Sequence, residues 1–255
     1  MTPFVALIPA RLGSTRLPRK PLADIGGAPM VVRVAQRAQA AGAARVVVAA
    51  DSDEIVAACA RHGVEAIATS PAHETGTDRL AEACVKLGLP EESIVVNVQG
   101  DEPLIPGQVI ADVAAHLARH DECAIATAAH PLTEAAEFFD PNVVKVVLDR
   151  AGRALYFSRA PIPWARDAFA VERTALPPAL PAYRHVGLYA YRGAFLRRYP
   201  QLQRDALERS ESLEQLRALA HGFRIAVLAL AQPLPPGVDT AEQLAAARAA
   251  YAREK

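Results

Sequence analysis

With 255 residues, half of them hydrophobic, the chain has enough apolar material for one large α/β domain or a domain with a smaller appendage, and too much to be disordered beyond its termini. Its 28 lysines and arginines cancel its 28 aspartates and glutamates, so no global field draws it to nucleic acid or to an anionic membrane. Any anion site must therefore come from a local cluster.

Phe4–Ile8 is a short apolar run halted at Pro9, the pattern of a buried strand. The loop that follows, to Leu22, contains Arg11, Arg16, Arg19 and Lys20, and no acid occurs before Asp24. A strand, a cationic loop and then a helix is an arrangement that holds phosphates at the carboxyl edge of α/β sheets, although a solvated basic loop has the same composition. Gly26-Gly27 mark a turn, and Pro29 opens a helix to about Gly42 with Met30, Val31, Val34, Ala38 and Ala41 on one face. Arg45–Ala50 reads as a second buried strand, and Asp51-Ser-Asp-Glu54 offers a cap and first-turn acids for the next helix. Val64–Thr69 and Ser93–Gln99 are further strands, separated by His73–Arg79 and a helix to Gly88. A helix over about 107–120 and a strand near 124–129 extend a strand–loop–helix alternation, which predicts a largely parallel sheet covered on both faces. No GxGxxG follows the first strand and no GxxxxGK[ST] occurs, which disfavours a dinucleotide fold and a P-loop ATPase.

The character changes after Asp140. Val143–Leu148 and Ala154–Ser158 flank a hairpin turn at Asp149–Gly152, a proline-rich stretch follows, and Tyr183–Arg192 reads as a strand. Residues 140–192 are expected to form an inserted, mainly antiparallel subdomain serving as a dimer interface or a lid, with 1–139 and 193–255 as the main α/β domain. The last third is expected to supply a helix over Ser212–Ala220, a strand over Arg224–Ala231 and a helix from Thr240. Cys59, Cys84 and Cys123 lie far apart without metal spacing and read as buried residues of a reducing compartment. The first apolar run is too short for a signal segment or a membrane span, so a cytoplasmic location is expected.

Several groups are placed for chemistry. Asp101 follows the strand ending at Gln99, and Asp239 follows the strand 224–231, so two carboxylates from distant strand ends could meet at one phosphate-bound Mg²⁺. Capping of the last helix is the plainer role for Asp239. Gln99 could bond a nucleotide base or sugar, or be a satisfied strand-end amide. Gly76, between Thr75 and Thr77, would let backbone approach a planar base, or relieve a turn. Arg79 at a helix start opposes the macrodipole and invites a functional explanation, with surface pairing to Asp78 or Glu82 as the alternative. Arg159, Arg184 and His185 could bind a carboxylate. Glu208, Glu211, Glu214 and Gln215 read either as a solvated acidic face or as a cluster turned toward sugar hydroxyls. No Ser-His-Asp or Cys-His arrangement is evident, and His62 and His116 fit no pattern.

Ile8-Pro-Ala-Arg11, Ser14–Pro18 and Lys20-Pro-Leu22 together resemble the nucleotide loop of the CMP-Kdo synthetases, the 3-deoxy-manno-octulosonate cytidylyltransferases. Gly76–Arg79, Val96–Pro103, Asn142–Val147, Leu155–Trp164, Arg184–Tyr189, Leu213–Arg217 and Gly237–Thr240 continue the resemblance in the family's order over nearly the whole chain. The resemblance implies a Rossmann-like, nucleotide-diphospho-sugar-transferase-type fold, a homodimer built through the inserted subdomain, and Mg²⁺-dependent transfer of CMP from CTP to Kdo for lipopolysaccharide synthesis. It implies catalytic roles for Arg11, Lys20, Asp101 and Asp239, with Asp101 and Asp239 as metal ligands. Nucleotide contacts are implied for Pro9, Ala10, Arg11, Ser14, Lys20, Thr75, Gly76, Arg79, Gln99 and Asp101. Sugar-acid contacts are implied for Arg159, His185, Tyr189, Glu211, Glu214 and Gln215. Two positions depart from the family pattern: Arg19 replaces the glycine before the loop lysine, and Thr75 replaces serine. Rival readings are a cytidylyltransferase for 8-amino-Kdo or sialic acid, and a non-catalytic nucleotide- or sugar-binding module of the same fold.

Overall fold

The computed structural model describes residues 2–13 and 16–253. The chain opens with β1 (Val5–Ala10), whose exit loop closes in a 3₁₀ turn at Lys20–Leu22. A small hairpin, β2 (Asp24–Ile25) and β3 (Ala28–Pro29), leads into α1 (Met30–Ala40). Three strand–helix units follow: β4 (Arg45–Ala50) with α2 (Asp53–Arg61), β5 (Glu65–Ala68) with α3 (Gly76–Lys86), and β6 (Ile94–Asn97) with α4 (Gly107–Ala118). β7 (Ile125–Pro131) and the short α5 (Ala135–Phe139) precede the hairpin β8 (Lys145–Leu148) and β9 (Ala154–Ser158). Then come α6 (Arg166–Val171), the long β10 (Tyr183–Arg192), α7 (Gly193–Arg198), α8 (Ala206–Glu211), α9 (Gln215–Ala220), β11 (Ile225–Ala229) and α10 (Ala241–Arg253).

The main sheet runs β11-β7-β10-β6-β1-β4-β5. Its pairs are parallel except where β10 runs antiparallel between β6 and β7. Alternate residues of β1 divide between its two faces: Ala6 and Ile8 join one core cluster with Val31, Ala35, Ile110 and Val113. Leu7 joins the other, with Leu80, Cys84, Phe195 and Leu216. Burial on both faces explains why β1, β4 and β6 read as unbroken apolar runs rather than as alternations. Local signals set the helix limits: Ser52 caps α2 by accepting from Glu54 N, and Gly63 follows its end at φ +67°.

The segment 140–192 is not walled off from this sheet. β8 pairs with β9 across the expected turn, and the first residues of β10 pair with β8, Tyr183 opposite Val146 and Arg184 opposite Lys145. Beyond a bulge between Val186 and Tyr189, β10 continues between β6 and β7. Its second half is thus a central strand of the main sheet. The helix expected over Ser212–Ala220 is shorter, and a separate short helix precedes it. Ser212 takes a left-handed conformation at φ 52°, ψ 48°, ending α8, and α9 starts only at Gln215.

Candidate active site

Parallel strands end on one edge, and the loops leaving β1, β6 and β11 meet there. Asp51 Oδ1 accepts from Leu12 N at 3.1 Å and so tethers the first loop to the end of β4. Gly100 allows the closest approach: a Cβ there would lie 2.7 Å from Pro9 O, so no other residue fits without moving backbone. Val238 N donates to Asp101 O at 2.8 Å and joins the second loop to the third.

These loops bring Lys20, Asp101 and Asp239 together. Lys20 Nζ donates to Asp101 Oδ2 at 2.6 Å and to Asp239 Oδ1 at 2.9 Å, and Arg16 Nη2 lies 3.1 Å from Asp239 Oδ2. Burial opposes the Lys20 ammonium, but the two carboxylates outweigh it and its pKa rises. Burial likewise opposes the Asp239 carboxylate, and Lys20 followed by Arg16 brings its pKa down. Glu102, beside them, is pushed up to about 7 by burial and then by the charge of Asp101. Among the described residues no group of three or more histidine, cysteine or acidic side chains forms a metal cage. Two hard carboxylates converging on one cationic point do fit Mg²⁺, which takes its remaining partners from phosphate oxygens and water.

A cleft of about 680 Å³ opens from this cluster. Of the expected nucleotide residues, Pro9, Ala10, Arg11, Lys20, Thr75, Gly76, Arg79, Gln99 and Asp101 line it, as does Asp239. Ser14 lies outside the described residues. Thr75 caps α3, accepting from Asp78 N at 3.1 Å and donating to Asp78 Oδ2 at 2.6 Å. A Cβ on Gly76 would meet nothing within 4 Å, because that position faces open space. Arg79 is no surface residue: it is 4 % exposed and donates to Thr69 Oγ1 at 2.6 Å. Burial depresses its pKa, only partly offset by Asp51 and Glu82. Gln99 donates to Gly187 O at 3.2 Å, in the bulge of β10.

Of the expected sugar-acid residues, His185, Tyr189, Glu214 and Gln215 line the same cleft. Burial lowers the His185 pKa to about 3, so the imidazole is neutral at pH 7 and offers hydrogen bonds, not charge. Its Nε2 lies 3.0 Å from Thr127 Oγ1. Glu214 Oε2 accepts from Thr77 Oγ1 at 2.7 Å. Arg159 and Glu211 are not brought in. Glu211 accepts from Ser158 Oγ at 2.6 Å and from Arg159 N at 2.9 Å, while Arg159 Nε donates to Glu211 O at 2.7 Å. The turn at Ser212 directs Glu211 to β9 and Glu214 to α3, so one run of sequence serves two places. Arg184 is engaged elsewhere, with Glu137 at 2.8 Å. The acidic run is not a solvated face either: Glu208 is 1 % exposed and pairs with Arg217 at 2.6 Å. The cleft also takes in Arg16, Thr77, Asn97, Tyr191, Phe195 and Tyr199, to none of which the sequence assigned a contact. Arg16 carried a signal as one of the loop cations, and Thr77 and Asn97 fall within the motifs Gly76–Arg79 and Val96–Pro103; Tyr191, Phe195 and Tyr199 read as ordinary strand and helix residues.

A family model described as cytidylyltransferase matches residues 5–225. A solved structure described as CMP:2-keto-3-deoxy-manno-octonic acid synthetase complexed with CTP is 42% identical, with a TM-score of 0.88 over 99% of this chain and 100% of that chain. A crystal structure described as a glucose-1-phosphate thymidylyltransferase from Bacillus anthracis, in complex with sucrose, has a TM-score of 0.65 at 14% identity, covering 97% of this chain and 95% of that one. The last likeness is one of fold.

Proposed function

The chain belongs to the cytidylyltransferase family, and from that premise we propose that it transfers CMP from CTP to Kdo, releasing pyrophosphate and supplying CMP-Kdo for lipopolysaccharide synthesis. The observation that carries the reading is the convergence of Asp101 and Asp239 on Lys20, at the mouth of a cationic loop and in the same cleft as His185, Tyr189, Glu214 and Gln215. CTP and a sugar acid are both anions, and a chain of zero net charge needs such a local concentration of cations to bring them together.

In the proposed reaction the anomeric C2 hydroxyl oxygen of Kdo bonds to the α-phosphorus of CTP. The bond from that phosphorus to the bridging oxygen breaks, pyrophosphate departs with the electron pair, and the hydroxyl proton is released. Arg11 and Lys20 hold the triphosphate, with Arg16 adding charge from the same loop. Gln99 meets the cytidine, and its bond to Gly187 fixes the plane of its amide. His185, Tyr189, Glu214 and Gln215 receive the acid as neutral or anionic hydrogen-bonding groups. Mg²⁺ would be held by Asp101 and Asp239, where it would offset phosphate charge and favour ionisation of the attacking hydroxyl. The remaining acceleration comes from positioning and fixed charge, and no covalent nucleophile is required.

Residues 140–192 are proposed as the dimer-forming part of the fold, since Leu155, Trp164 and Val171 there are exposed to 61%, 47% and 89%. Light scattering should return twice the 27.2 kDa chain mass, and Trp164→Glu should shift it toward one chain. No helix among the described residues is long and apolar enough to cross a membrane, and the three cysteines are free thiols. Both features suit the cytoplasmic location we propose.

A pyrophosphate-release assay with CTP tests the activity against Kdo, 8-amino-Kdo and sialic acid. Kdo should be the best acceptor, and Asp101→Asn should lose at least about a thousandfold in kcat with an unchanged fold by circular dichroism. Release from none of the acids, with CTP binding intact by calorimetry, would mean a binding module. A variant with near-normal kcat would remove Asp101 from the metal site.

A further inference from the structure

Five buried side-chain polar atoms among the described residues have no hydrogen-bond partner: Asn97 Oδ1, His116 Nε2, Arg197 Nε, Tyr199 Oη and Gln215 Nε2. Buried polar groups are nearly always satisfied, so each exception calls for a reason. Three of the five, on Asn97, Tyr199 and Gln215, belong to residues that line the one cleft already described. They come from β6, from the turn after α7 and from the start of α9, so no single local irregularity produces them.

Their surroundings are aromatic. Tyr189, Tyr191, Phe195 and Tyr199 form a continuous series of rings with centroid separations of 5.7, 6.0 and 5.8 Å, and all four line the cleft. Arg217 sits 4.3 Å over the Tyr199 ring and is fixed from behind by the buried Glu208. Asn97, on β6, is 3% exposed and lies opposite Tyr189 of β10 in the sheet, with its Oδ1 unpaired. The orphans therefore comprise an acceptor (Asn97 Oδ1), a donor (Gln215 Nε2) and a group that does both (Tyr199 Oη). A hydroxyl is also both donor and acceptor, so two adjacent hydroxyls on a flexible carbon chain satisfy the set without introducing charge.

We propose that Asn97, Tyr199 and Gln215, set in this aromatic wall, form the recognition surface for the hydroxylated exocyclic chain of the acceptor and select acids that carry it. The inference rests on the acceptor assignment made above. It adds Asn97 and Tyr199 to the site and gives all three residues a role in specificity. An acceptor without the chain hydroxyls leaves the buried polar atoms unpaired, which is how a hydrogen-bonding pocket rejects a deoxy analogue.

Tyr199→Phe removes one orphan oxygen and keeps the ring; Gln215→Met removes the orphan donor and keeps the length. Each should raise KM for Kdo about tenfold while KM for CTP stays within about twofold. With an analogue lacking the terminal hydroxyls, each variant should match the wild-type kcat/KM. In the ligand-free protein Tyr199→Phe should raise Tm by about 2–4 °C, because an unpaired buried hydroxyl has been removed. Unchanged KM for Kdo in both variants, with wild-type turnover intact, overturns this inference alone. So does a raised KM for CTP, which places the orphans against the nucleotide, or an equal loss with both acceptors. A fall in Tm with Kdo kinetics unaltered also overturns it, since the hydroxyl then serves the fold. A wild-type protein inactive with Kdo overturns the acceptor assignment, and this inference with it.

Discussion

Arg19 stands at φ 58°, ψ 28°, a left-handed conformation that costs a side-chain-bearing residue roughly 1–2 kcal/mol. Its guanidinium reaches Glu54 at the start of α2 and does not line the cleft, whereas Lys20, next in the chain, turns inward to both carboxylates. The backbone at this position is therefore what the 3₁₀ turn needs to deliver Lys20, and the side chain is incidental to phosphate binding. An exposed ion pair such as Arg19–Glu54 offsets at most about 1 kcal/mol of the strain. Arg19→Gly should accordingly leave KM for CTP within about twofold and should not lower the midpoint of urea unfolding. A severalfold rise in KM would instead make Arg19 a phosphate ligand. The sequence indicated both outcomes without deciding between them, because one residue cannot reveal its own φ.

At the scale of elements, the decisive feature is the break between α8 and α9. It lets Glu208 turn inward, where Glu208 and Arg217 are 1% and 4% exposed and joined by bonds of 2.6 and 2.8 Å. Arg217 also lies 3.8 Å from Asp78 in the first turn of α3, so the pair ties α9 to the helix that borders the nucleotide half. Removing one partner leaves a buried charge uncompensated. Glu208→Ala should cost about 3–5 kcal/mol in urea unfolding, and the double replacement Glu208→Leu with Arg217→Met should recover most of it. A loss below about 1 kcal/mol in the single variant would show that water reaches Arg217. This arrangement was hidden in the sequence for a definite reason. Serine at a left-handed position carries none of the glycine signal that marks a helix end, so acids at three-residue spacing read as one exposed face. The parallel strands were legible because double burial makes them continuous apolar runs. β10 was legible as a strand but not in its place, since its pairing with β6 and β7 is a long-range choice.

For the molecule as a whole, the same principle governs the site. The loops that meet at Lys20, Asp101 and Asp239 carry charged residues at strand ends, which sequence can flag. Asn97 and Tyr199 are cleft residues only because the sheet brings β6 beside β10 and packs α7 against α3. Two half-buried histidines add a global consequence. Burial, followed by the charges of His120 and Arg119, lowers His116 in α4 to about 4, and burial lowers His185 in β10 to about 3. Both values lie below the unfolded reference near 6.5, so between those limits the unfolded chain binds more protons and stability rises with pH. The stabilisation from the neutral rings is complete above about pH 6.5 and declines as pH falls toward 4, each ring contributing up to about 1.4 kcal/mol per pH unit. Glu102, held up to about 7, has the opposite slope above its unfolded value, so the informative quantity is a difference between variants. Urea unfolding at pH 5 and pH 6 should give a pH dependence that His116→Gln reduces by about one proton. The same change should be absent between pH 7.5 and 8.5, where both the native and unfolded forms of that ring are neutral. Identical pH dependence in wild type and His116→Gln at pH 5–6 would mean that His116 takes up its proton without unfolding.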